Sequence, residues 1–111
     1  TCDDKGRCTF ANRRCQELFD LSEQAMKDFG WMDKIPWDHR QRVKNDFERI
    51  YREPKSASYN YASQYPVLQK NGKYINVLAK AERVVYDPAG ERVLAVYGTC
   101  EPVPVMMGEA A

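Results

Sequence analysis

Histidine is nearly absent: the 111-residue chain has one, His39. The four cysteines, at positions 2, 8, 15 and 100, contain no C-x-x-C pair, so a structural zinc site has little to build on. No secretory pattern is visible. Irregular cysteine spacing without one favours free, buried thiols in a reducing compartment, which places the protein in the cytoplasm. No apolar run approaches the roughly 20 residues needed to cross a bilayer, so direct membrane insertion is not expected. Charge of one sign is also missing. Lys+Arg 17 against Asp+Glu 16 leaves a net charge of +1, too little to steer the chain toward nucleic acid. There is no second histidine, Ser/His/Asp set, paired-carboxylate motif or Gly-rich phosphate loop, and the chain reads as a non-enzyme. Repeats and low-complexity tracts are lacking too. The length allows one domain with one real core.

The first half of the chain carries helical periodicity. Asn12 can cap a helix through "NRRCQELF", where Cys15, Leu18 and Phe19 share a face. Ser22 can cap a second short helix, "EQAMKD", which turns Met26 and Phe29 inward and stops at Gly30. A loop, "WMDKIPW", leads to the strongest helix, Asp38 to Arg52. Its inward stripe is Val43, Phe47 and Ile50; Arg40, Gln41, Lys44, Asp46 and Glu48 are expected to face water, and Pro54 to end it.

The second half alternates as strands do. In "SYNYASQYPVLQ", Tyr59, Tyr61, Ser63, Tyr65 and Val67 fall on one face. "KYINVLAKAERVVY" puts Ile75, Val77, Ala79 and Ala81 on one face, and "DPAGE" turns the chain into "RVLAVYGTC". Pro66 cannot donate a ladder hydrogen bond, so its strand belongs at a sheet edge. The inward sets of the first two strands both have odd numbers. Directly paired residues share a face, so the hairpin loop around Asn71-Gly72 must hold an odd number of residues or a bulge must intervene. The alternative is that Asn76 faces inward and hydrogen-bonds a ligand, which would also turn Lys80 and Glu82 toward the core. A three-residue loop, Lys70-Asn71-Gly72, with Gly72 at positive φ satisfies the parity and leaves Asn76 and Lys80 outside. The class is α+β, with helices on one face of an antiparallel sheet.

In their order and spacing, four stretches resemble the PAS domain family from about Thr1 to Thr99. They are "D-x-x-G-x-x-x-x-x-N" (Asp3, Gly6, Asn12), "IPWDHR" with Pro36 and Asp38, "QYPVLQKNGKYI" and "DPAGERVLAVYGT". The resemblance implies a five-stranded antiparallel sheet whose first strand enters the D-x-x-G turn. Thr1-Cys2 would end that strand, so most of it is expected to be missing from this sequence. The chain departs from the family at Pro66, where Arg is usual, at Asn76, often aromatic, and at "CEPV", where an Asp-Ile-Thr-like segment commonly joins the sensor to an output helix.

The same resemblance suggests an apolar cavity between the long helix and the inner sheet face. Its helical wall would be Phe10, Phe29, Val43 and Phe47; its sheet wall would be Tyr61, Ser63, Tyr65, Val77, Ala79, Val96, Gly98 and Cys100. Small residues leave room and the hydroxyls supply placed polar groups, as ligand sites require. The same side chains could instead fill one another's space, and the sequence leaves both readings open. The cofactor is unknown. Haem is disfavoured because His39 falls in the first turn of the long helix. Flavin is disfavoured because the light-sensing subclass has an "N-C-R-F" signature where this chain offers "NRRC" on its first helix. Cys15 and Cys100 both read as structural.

By resemblance, the chain is a sensory PAS module over 1–101, with 102–111 as a loosely structured tail or the start of a linker. Its parent would be a bacterial signalling protein of histidine kinase or diguanylate cyclase type. The module would bind a small ligand or relay a conformational signal to an output domain in the same chain, pairing as a homodimer through the outer sheet face around Tyr74, Asn76, Leu78 and Tyr97. The alternative is a ligand-free dimerisation or protein-interaction module.

Overall fold

A computed structural model of the chain describes residues 1–52 and 61–103. In chain order the elements are α1 (Arg13–Phe19), α2 (Glu23–Met26), a 3₁₀ turn (Gly30–Lys34), α3 (Trp37–Arg52), β1 (Ala62–Leu68), β2 (Tyr74–Tyr86) and β3 (Val93–Val103). The three strands form an antiparallel sheet in the order β1-β2-β3, with the helices against one face. Pro54 and Tyr59 lie outside the described residues. Pro102 and Val103, expected in a loose tail, continue β3.

Local chemistry explains where the helices start. Asn12 Oδ1 accepts the backbone N–H of Cys15 at 2.9 Å, and Ser22 Oγ accepts that of Ala25 at 3.1 Å. Each satisfies one of the donors a helix start leaves free. The first turn of the chain is closed the same way. Asp3 Oδ1 accepts the N–H groups of Lys5 and Arg7, both at 2.9 Å, while Gly6 sits at φ +81°. Tyr51 Oη, near the far end of α3, donates to Asp3 O at 2.9 Å and ties that helix to the turn.

Helix α2 is shorter than its periodicity suggests, and this moves Phe29. The chain leaves the helix at Lys27, and Asp28 adopts φ +58° to exchange two backbone hydrogen bonds with Cys8, at 2.8 and 3.0 Å. Residue 29 therefore no longer follows Met26 around a helix, and Phe29 is 47% exposed while Met26 is buried. Gly30 opens the 3₁₀ turn instead of ending α2. That turn, expected as plain loop, carries Trp31 into the core, whereas Trp37 at the start of α3 is 82% exposed.

The stripe of α3 is as expected: Val43, Phe47 and Ile50 are buried. Its polar face is not wholly solvated. Arg40 folds back to the carbonyls of Ile35 and Asp33, at 2.8 and 3.2 Å. Asp46 accepts Ser63 Oγ at 3.1 Å, and Arg42 donates to Gln64 O at 3.0 Å. These two bonds lash α3 to β1, and polar residues with a partner on the sheet need not face water.

The hairpin register has Tyr65 opposite Val77 and Val67 opposite Ile75. The loop is Lys70-Asn71-Gly72, closed by Gln69 N–H to Lys73 O at 2.8 Å, with Gly72 at φ +81°. Asn76 and Lys80 are exposed. Pro66 lies in β1, which among the described residues pairs only with β2. A bulge at Glu82 shifts the inward set of β2 from Ala79 and Ala81 to Val84. At the other edge, Cys2 exchanges hydrogen bonds with Val96 at 2.8 and 3.0 Å, giving β3 one further antiparallel rung.

Candidate functional site

A cavity of about 380 Å³ lies between the N-terminal segment with α1 and the inner face of the sheet. Its apolar depth is Phe19, Met26, Trp31, Phe47 and Ile50. The sheet contributes Tyr61, Tyr65, Ala79, Ala81, Val96, Gly98 and Cys100; the N-terminal segment and α1 contribute Cys2, Cys8, Phe10, Asn12, Arg14 and Cys15. The volume falls within the roughly 300–1,000 Å³ typical of small-molecule sites.

The residues expected at the site divide into two groups. Phe10, Phe47, Tyr61, Tyr65, Ala79, Val96, Gly98 and Cys100 line the cavity. Phe10 does so from the rim, being 53% exposed. Val43, Ser63 and Val77 are buried but do not line it, and Phe29 points away for the reason given above. Ser63 is occupied in holding Asp46. Val43 and Val77 have no exposed surface and belong to the half of the α3–sheet interface that is packed shut. Both readings of the interior therefore hold, in different places. It is filled where the middle of α3 meets β1, and open toward α1 and β3.

Among the lining residues absent from the expected set, which include Phe19, Met26 and Ile50, Trp31 makes the most ring contacts. Its ring meets Phe19 edge-on at 6.4 Å and Phe47 edge-on at 6.0 Å, and lies tilted against Tyr65 at 6.2 Å. Such pairs add to what burial alone provides. The apolar content of "WMDKIPW" was the available signal: a loop with Trp31, Met32 and Ile35 has too much to bury to run over a surface.

The sheet side of the cavity carries two tyrosine hydroxyls. Burial pushes the hydroxyls of Tyr61 and Tyr65 above their usual range, so both stay protonated donors. Tyr65, Cys100 and Cys15 all line the same cavity. No carboxylate lines the cavity among the described residues. His39 does not line it either; its Nδ1 lies 3.3 Å from Arg42 Nη2 in the first turn of α3. No group of three or more His, Cys, Asp or Glu side chains capable of holding a metal occurs among the described residues. No described helix is long and apolar enough to cross a membrane.

A family model described as the PAS fold matches residues 9–99. Two solved structures share the architecture. The N-terminal domain of a diguanylate cyclase with PAS/PAC sensor from Marinobacter aquaeolei superposes with a TM-score of 0.72 at 15% identity, over 91% of this chain and 89% of that one. A sensory box histidine kinase/response regulator from Burkholderia thailandensis gives 0.57 at 16% identity, over 85% of this chain and 66% of that one. No curated protein matches the chain by sequence.

Proposed function

The chain belongs to the PAS fold family, and on that premise we propose that it is the sensory module of a bacterial signalling protein, taking a small ligand into the α1–β3 cavity. The observation that carries this reading is the cavity itself: about 380 Å³ left open in an otherwise filled interior. Its walls favour a largely apolar molecule with one or two polar atoms, met by the hydroxyls of Tyr61 and Tyr65. Among the described residues Arg14 and Lys80 line the cavity and no carboxylate does, which favours a neutral or anionic ligand over a cation. The two similar structures come from diguanylate cyclase and histidine kinase chains. An output domain of either type, reached from a module over 1–101 through 102–111, fits the proposal, as does a cytoplasmic setting. A ligand that prefers one arrangement of helices and sheet would bias that output by population shift.

Native mass spectrometry of the purified chain and a thermal-shift screen with small metabolites test this. A co-purifying mass, or a melting shift that disappears in Ala79→Leu, is expected. No bound mass and no shift with any compound would overturn it.

The second reading is a ligand-free dimerisation module, favoured by the outer surface. Tyr74, Leu94 and Tyr97 are 53%, 42% and 43% exposed. Light scattering that shows a dimer in the wild type and a monomer in Tyr97→Glu supports pairing through this face; a monomer at high concentration counts against it.

A further inference from the structure

We propose that the cavity takes an apolar carbonyl compound (a ketone, ester or lactone) whose oxygen accepts the indole N–H of Trp31. This rests on the ligand reading above and narrows it to one chemical class. Trp31 lines the cavity and is 7% exposed. Its Nε1–H is sealed from solvent and has no hydrogen-bond partner. A buried donor without a partner carries its full desolvation penalty, and native interiors hold few of them. No water can supply the missing acceptor, because none can touch the nitrogen.

Packing does not account for that donor. The ring meets Phe19 and Phe47 edge-on and lies tilted against Tyr65. A phenylalanine would supply much of this contact and bring no polar atom to satisfy. The other polar side chains of the wall have the same bias. Tyr61 and Tyr65 keep their hydroxyl protons, and Asn12 Oδ1 is already taken by the backbone N–H of Cys15. No carboxylate lines the cavity among the described residues. The wall offers donors and lacks an acceptor. The oxygen that answers it is a neutral one. Trp31 shares the apolar depth with Phe19, Met26 and Ile50, where an anion would give up its water for neutral donors alone. Arg14 and Lys80, the cations of the wall, are both exposed, and strand alternation puts Lys80 on the other face of the sheet.

Because the N–H is sealed, an oxygen reaches it only as the indole turns. The ring touches Phe19 of α1, Phe47 of α3 and Tyr65 of β1, so that turn acts on three elements at once. The donor that recognises the ligand is thereby also the group that passes its arrival to the helices and the sheet.

The test follows the indole N–H signals of the isotope-labelled whole chain during titration with acetophenone and with ethylbenzene. The two probes have nearly the same shape and differ by one carbonyl oxygen. Trp37→Phe assigns the Trp31 signal. Acetophenone should move that signal downfield; ethylbenzene should shift the amides of Ala79 and Gly98 on the wall and not draw the indole downfield. In Trp31→Phe, affinity for acetophenone should fall about tenfold, as expected when a buried carbonyl loses its donor, while that for ethylbenzene holds. A Trp31 signal that responds alike to both probes would overturn the carbonyl proposal and leave the ligand reading standing. So would a Trp31→Phe variant that binds acetophenone as the wild type does. Wall amides that move with neither probe at millimolar concentration would overturn both. The wild-type titrations decide this by themselves if Trp31→Phe does not fold.

Discussion

Gly98 and Gly72 are both glycines of the sheet region, yet the structure asks different things of them. A Cβ on Gly98 would stand 2.5 Å from Lys80 O, a backbone atom that cannot swing aside. A Cβ on Gly72 would meet nothing within 4 Å, and only its φ of +81° resists substitution. Gly98→Ala is therefore expected to destabilise by about 2–3 kcal/mol through steric displacement of β2 from β3. Gly72→Ala should cost about 1 kcal/mol, the backbone term alone. Urea unfolding of the two variants compares them, and equal midpoints would contradict the distinction. The carboxylates of the turns act at the same scale. Burial tends to raise Asp3, but the N–H groups of Lys5 and Arg7 and the Arg7 guanidinium outweigh it and hold the carboxyl low. The N–H groups of Glu91 and Arg92 do the same for Asp87. A folded-state pKa below the unfolded one contributes stability that is fully present above the unfolded value, about 3.9, and is lost as pH falls from there through the lower folded-state value. Melting temperature should hold steady near neutrality and decline on acidification, with a shallower decline in Asp3→Asn.

Among the elements, α3 and β1 are joined by a polar pair inside an apolar contact. Removing the hydroxyl in Ser63→Ala is expected to cost about 1 kcal/mol, and Asp46→Ala, which leaves a buried hydroxyl without its acceptor, about 1–3 kcal/mol. A double-mutant cycle should return a coupling on the order of 0.5–1 kcal/mol; additivity would show the bond contributes nothing. This contact also marks the limit of what the sequence discloses. The caps at Asn12 and Ser22, the stripe of α3, the edge placement of Pro66 and the three-residue hairpin loop are all legible, because each follows from local chemistry or from strand parity. Asp46 was not. A carboxylate on a helix looks solvated until the strand that supplies its donor is placed beside it. Phe29 failed for a related reason: its direction depends on Asp28 pairing with Cys8, twenty residues earlier by the numbering of the chain.

At the scale of the whole molecule, each expected wall matches the cavity in part: Ser63 and Val77 drop out of the sheet side, Val43 and Phe29 out of the other, and Phe10 and Phe47 remain. Strand alternation fixes which residues of β1, β2 and β3 face inward, so Tyr61, Tyr65, Ala79, Val96, Gly98 and Cys100 could be read directly. Which helix leaves a gap is decided by packing volume, and that depends on where Trp31 goes. The two indoles of the protein consequently inhabit opposite environments. Trp37 stands in water at 82% exposure; Trp31 is 7% exposed and forms part of the cavity wall. Their fluorescence should separate accordingly: iodide should quench the red-emitting Trp37 and leave a blue-shifted Trp31 component, the sole emission in Trp37→Phe. That remaining light then reports on the interior. Occupancy of the cavity should change its intensity or wavelength, while a variant with the cavity filled by Ala79→Leu should be silent to the same titration. A Trp37→Phe protein that emits like free indole in water would place Trp31 outside the core.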